Sequence, residues 1–217
     1  GVICEIMNDD GTMARLPDLI KFAQFHGLKV ASIADLISYR RRTESIVKRA
    51  VETDLNSEFG GDWRMIVYVN KASYAEHLAL VKGNIGTGDP VLVRMHAVNV
   101  LDDVLGESSG GGISGNVQAA MREIGEAGRG VVVLIREPTP TALSDMVRDR
   151  LGAGNGRDGD DVPGNELRDY GVGAQILLDL GVRDMTLLTN SSRNVVGLEG
   201  YGLRVVERRR FSTDAEN

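Results

Sequence analysis

Partway along the chain the hydrophobic period changes, and that change limits the folds available. From Ile46 apolar residues recur at every second position, so Ile46 to Leu55, Trp63 to Val69, His77 to Val81 and Pro90 to Met95 read as strands. Alternate side chains of a strand point to opposite faces, so this stretch predicts a sheet. Gly60-Gly61 and the glycines between Gly83 and Gly88 supply turns, and no two-residue hairpin signature fixes the pairing. After His96 the character changes. Asn116 to Ala127 is predicted as a helix closed by Gly128, and Val131 to Ile135 is a continuous apolar run, the mark of a buried strand. Thr141 to Leu151 and Glu166 to Leu180 read as helices, Met185 to Leu188 as a strand, Arg193 to Leu198 as a short helix and Leu203 to Val206 as the last strand. Strands alternating with helices predict an α/β fold of mixed α and β structure, a sheet flanked by helices.

A different pattern occupies the first 42 residues. Val2 to Met7 and Leu28 to Ile33 read as strands, each followed by a helix, the first opened by Pro17-Asp18 and closed by Gly27. The polar, basic step Tyr39-Arg40-Arg41-Arg42-Thr43 marks a domain boundary, giving units 1–42 and 43–210 and a loose tail 211–217. Position 1 is Gly and the next residues read as a strand already under way, so the natural chain is expected to begin earlier. Gly152 to Gly164 carries five glycines and three aspartates and reads as a flexible loop.

Composition removes several functions. The net charge is −6 with no basic bias, which argues against a nucleic-acid partner. No apolar run reaches the roughly 18 residues of a membrane span. Cys4 is the single cysteine. It excludes an internal disulfide and a Cys-rich zinc site, and it fits a reducing, cytoplasmic setting.

Two stretches carry a family resemblance. Cys4-Glu5-Ile6-Met7-Asn8-Asp9-Asp10-Gly11-Thr12-Met13-Ala14-Arg15, continuing to Ile33-Ala34-Asp35-Leu36-Ile37-Ser38-Tyr39-Arg40, resembles the end of dihydroxybutanone-phosphate synthase. Pro90-Val91-Leu92-Val93-Arg94-Met95-His96, Gly128-Arg129-Gly130-Val131, Leu167 to Leu177, Leu180-Gly181-Val182, Leu187-Leu188-Thr189-Asn190 and Gly200-Tyr201-Gly202-Leu203 with Val206-Glu207-Arg208 resemble GTP cyclohydrolase II, in that family's order. The resemblance implies the C-terminal part of a bifunctional riboflavin biosynthesis protein, with a mixed sheet of cyclohydrolase type preceded by a strand-helix-strand-helix tail. It also implies a homodimer, the synthase domain of the same full-length chain as a partner, and GTP or a related nucleotide as a ligand.

Departures from the family decide the expected function. The resembled enzymes hold zinc with three cysteines after the position of His96. Ala97 to Ile113 contains neither Cys nor His, with Asn99 at the first thiolate position and Ser108-Ser109-Gly110-Gly111-Gly112 near the others. Amides, hydroxyls and glycine do not replace thiolates. The zinc makes the hydroxide that opens the purine ring, so its loss predicts a catalytically inactive domain acting as a structural, dimerising or regulatory partner of the synthase. The alternative is an active cyclohydrolase working by a non-zinc route. The family's "RQEGR" run is also absent, since Arg136-Glu137 is followed by Pro138-Thr139-Pro140, and its later lysine falls on Asn194. No cofactor is expected in this chain; magnesium is implied only for the complete synthase domain.

The residues that the resemblance carries over are few. Glu5 matches a synthase carboxylate whose partners lie in the missing upstream part. Arg168 and Glu166 fall at the family's catalytic Asp-x-Arg pair, with Glu for Asp. Arg94 and Thr189 are the remaining nucleotide contacts. Each has a structural alternative: an ion pair for Arg94 and Arg168, and a helix cap for Thr189. His96 reads as a hydrogen-bonded structural histidine more readily than a ligand, and Asp9 and Asp10 as turn formers more readily than ligands. Gly110 to Asn116 is either a phosphate-binding turn or a loop replacing the metal clip. Arg208-Arg209-Arg210 reads as a charged strand edge.

Overall fold

The computed structural model describes residues 1, 3–32, 35, 39, 44–71, 75–86, 88–107, 115–137, 139–153, 163–190, 198 and 201–211; for 149–150, 152–153 and 163–170 it describes the backbone alone. The chain divides into two compact units, Gly1–Thr43 and Glu44–Asn217.

In the first unit helix α1 spans Leu16–His26. Asp18 accepts the Arg15 amide at 3.1 Å, Pro17 lies in the first turn, and Gly27 ends the helix in the left-handed conformation. Residues 8–12 form a turn in which Asp10 accepts the Thr12 amide at 2.9 Å, so Asp10 is a turn former. Over their described residues, Val2 to Met7 and Leu28 to Ile33 do not form the expected strands; the pairing there is a bridge between Met7 and Met13. A strand needs a neighbour for its backbone, and among the described residues of this unit the Met7–Met13 bridge is the extent of the pairing. Ser32 and Asp35 bond reciprocally, as at a helix start, while Leu36 and Ile37 lie outside the described residues.

The second unit is built on a mixed seven-stranded sheet: β1 (Val47–Ser57), β2 (Gly61–Asn70), β3 (Ala75–Lys82), β4 (Val91–Ala97), β5 (Gly130–Ile135), β6 (Asp184–Leu188) and β7 (Arg204–Arg209). Their order is β1-β2-β3-β5-β4-β6-β7. The pairs β1–β2, β2–β3 and β3–β5 are antiparallel, whereas β5–β4, β4–β6 and β6–β7 are parallel. This division follows connection length and not the period change, since β4 belongs to the period-two run yet pairs only in parallel. Meander strands join through short turns, and the parallel strands need helical crossovers. Those crossovers carry α2 (Val100–Asp103), α3 (Asn116–Ala127), α4 (Ala142–Ala153) and α5 (Pro163–Asp179).

Two apolar layers cover the sheet. Val172, Ala174, Ile176 and Leu177 of α5 pack with Ile66, Val93, Val131, Val133 and Met185 on one face. Val117, Ala120, Met121 and Ile124 of α3 pack with Leu80, Leu92 and Val132 on the other. Strand β5 therefore serves both layers, which is why its run is continuously apolar. The segment after β7 also differs from expectation: Phe211, assigned by sequence to the loose tail, is buried in the α3 layer. The segment Arg193 to Leu198 lies outside the described residues except for Leu198, which is buried.

Candidate functional site

Arg94 and His96 occupy alternate positions near the C-terminal end of β4, so both project to the α3 face. Arg94 donates from Nη1 to the Leu188 carbonyl at 3.1 Å, and its Nη2 lies 3.2 Å from His96 Nδ1. The Phe211 ring sits against the guanidinium, 5.2 Å from Cζ to the ring centroid. Phe211 is held in turn by Asn190, which donates to its carbonyl at 3.0 Å and accepts its amide at 3.1 Å. The other ring nitrogen of His96 lies 2.8 and 3.0 Å from the two Asp103 oxygens. Burial opposes ionisation of Asp103, but the bonds from His96 and the Asn99 amide and the charge of Arg94 outweigh it. The carboxyl is held below the usual carboxylate range.

Asn99 precedes α2 and caps it. Its side-chain oxygen accepts the amides of Leu101 at 3.0 Å and Asp102 at 3.5 Å, and its Nδ2 donates to Asp102 at 2.6 Å. Its own amide donates to Asp103 at 2.8 Å. The sequence resemblance puts the first thiolate of the zinc-holding enzymes at this position. A zinc ion does not fit the residues described here: Asn99 is committed to the cap and both nitrogens of His96 are engaged. Among the described residues no group of three His, Cys, Asp or Glu side chains is arranged to hold a metal. Ser108 to Ser114 lies outside the described residues.

The other sequence candidates separate. Glu5 is exposed in the first unit. Glu166 and Arg168 lie on the first half of α5, whose side chains are outside the described set. Thr189 continues the β6–β7 pairing through its amide, 2.9 Å from the Arg209 carbonyl, and the segment it was expected to cap, with Asn194, lies outside the described residues. Arg208 and Arg209 fall on β7, the last strand in the sheet order. Sequence reasoning missed Asp103, Asn190 and Phe211. The one available signal was Asn99 followed by Asp102-Asp103, an N-cap residue ahead of two acids in a first turn. The reach of Phe211 back to β4 had no local signature.

The family model described as GTP cyclohydrolase II matches residues 48–210, and that of 3,4-dihydroxy-2-butanone 4-phosphate synthase matches residues 1–39. The chain belongs to the GTP cyclohydrolase II family, with the end of a synthase ahead of it. It is 45% identical over 216 residues to riboflavin biosynthesis proteins RibBA of Bacillus cereus and of Bacillus mycoides, covering 96% of this chain. It spans about half the length of these curated relatives, 53% in each case. A solved structure, RibBX, a two-domain 3,4-dihydroxy-2-butanone 4-phosphate synthase from A. baumannii, is 30% identical with a TM-score of 0.52, covering 97% of this chain and 53% of that one.

Proposed function

We propose that the chain is part of a riboflavin biosynthesis protein in which residues 1–42 complete a synthase domain and residues 43–210 form a cyclohydrolase-type domain that does not hydrolyse GTP. The second domain serves the synthase as a structural, dimerising or regulatory partner. The observation that carries this reading is Asn99: where the resembled enzymes need a thiolate, an amide is bonded into the cap of α2. Without a metal the described residues of the site offer no source of hydroxide at neutral pH. The relative RibBX, two domains long and a synthase by description, supports the division of labour. The bare apolar surface of the first unit, with Ile3 98% and Phe25 85% exposed, supports its being completed by further synthase structure.

The competing reading is an active cyclohydrolase, favoured by the retained Arg168 and by the family match over 48–210. Elemental analysis and a formate assay on the full-length protein with GTP separate the two. Absence of stoichiometric zinc and of formate is expected. One zinc per chain with formate released at about 1 per second or faster would overturn the proposal.

A further inference from the structure

We propose that Asp103, acting through His96, sets the orientation of Arg94 and pins α2 to the end of β4, forming a clasp that needs no metal. The hydrogen bonds run in one direction. A guanidinium only donates, so the 3.2 Å contact from Arg94 Nη2 makes His96 Nδ1 an acceptor. The neutral ring then carries its proton on Nε2 and donates it to Asp103, whose oxygens lie 2.8 and 3.0 Å away. Asp103 Oδ2 also takes the Asn99 amide at 2.8 Å, which ties the same carboxylate to the start of α2. The His96 and Asp103 side chains are 11% and 10% exposed, so water competes little for these bonds.

Arg94 is fixed from two further directions: the Leu188 carbonyl at the end of β6 and the Phe211 ring beyond β7, which Asn190 clamps in turn. The chain Arg94–His96–Asp103 thus links α2, β4, β6 and the segment after β7. A chelated metal does such work by binding ligands from separate segments. Here a chain of charge-assisted hydrogen bonds does it, and Asp103 and His96 are positioning residues for Arg94. The proposal stands apart from the catalytic reading. Zinc content and formate decide that reading, and ring tautomer and guanidinium rotation decide this one.

The test is nitrogen NMR on the full chain. In the wild type His96 is expected as the Nε2–H tautomer, and the two Nη signals of Arg94 are expected to be separate because rotation is hindered. In Asp103→Asn, and in His96→Gln, the Arg94 signals should merge. The Asn99 amide in Asp103→Asn should exchange at least about tenfold faster, since a hydrogen bond to a charged group is lost, while Val131 keeps its protection. An Nδ1–H tautomer in the wild type overturns the proposal, and that observation needs no variant to fold. Separate Nη signals in either folded variant overturn it equally.

Discussion

The guanidinium of Arg129 donates to four backbone carbonyls, those of Asn84 at 2.9 Å, Asp89 at 2.8 Å, Pro90 at 3.2 Å and Ile85 at 3.4 Å. It fastens the loop that feeds β4 and so explains structurally why a Gly-Arg-Gly step stands before β5. A lysine carries the charge but not the planar fork. Arg129→Lys is expected to lower stability by about 1–2 kcal/mol in urea unfolding; an unchanged midpoint would mean the loop is held some other way. A second cluster is pH-dependent. Asp179 accepts the Tyr68 hydroxyl at 2.6 Å and Arg49 Nε at 2.7 Å. Burial pushes its carboxyl up, but these two bonds and the Arg49 charge leave it below the usual range. A carboxyl lowered in the folded state adds stability that is present above its unfolded pKa, about 3.9, and is lost as pH falls through the folded value. Asp179→Asn should therefore destabilise at pH 7 and matter progressively less below about pH 4. An equal loss at both pH values would contradict the linkage.

Among the elements, the packing of α3 on the β1–β2 turn turns on two glycines. Gly60 has a φ of +78°, and a Cβ there would stand 2.5 Å from the Met121 carbonyl; a Cβ on Gly125 would run into the Gly60 backbone. Alanine is the better helix former by about 1 kcal/mol, yet backbone contacts do not yield as side-chain tips do. Gly125→Ala should cost about 1–3 kcal/mol, read as a lower midpoint in thermal unfolding. A gain in stability would show that the helix shifts freely. The first unit behaves oppositely. Helix α1 buries Ala23 and leaves Phe25 85% and Leu16 62% exposed. It lacks the buried area that stabilises a helix of 11 residues in water. Amides of α1 should exchange far faster than those of β5 in the isolated chain, and core-level protection there would refute this.

For the whole molecule the decisive measurement is the fate of GTP. Opening the imidazole ring and releasing pyrophosphate need separate attacks, and for the second the family resemblance implies Arg168. The protein is expected to release no formate, and any slow pyrophosphate release should disappear in Arg168→Ala. Persistence of pyrophosphate release in that variant would place the attack elsewhere. No helix among the described residues is long and apolar enough to cross a membrane.

Much of this was legible in order along the chain. Hydrophobic period alone located all seven strands of the sheet and the helix Asn116–Ala127, because one-face and two-face burial leave different local patterns. The missing thiolates were equally legible, since ligand chemistry resides in residue type. Local pattern did not reveal that β5 inserts between β3 and β4, or that the described residues of Val2 to Met7 and Leu28 to Ile33 form no strand. Strand pairing is a long-range choice made by turns and crossovers. The site shows the same division. Arg94 and His96 could be named from their neighbours in sequence. Tertiary structure brought Asp103, Leu188, Asn190 and Phe211 to them, because contacts between the ends of separate elements exist only once β4, β6 and β7 lie side by side.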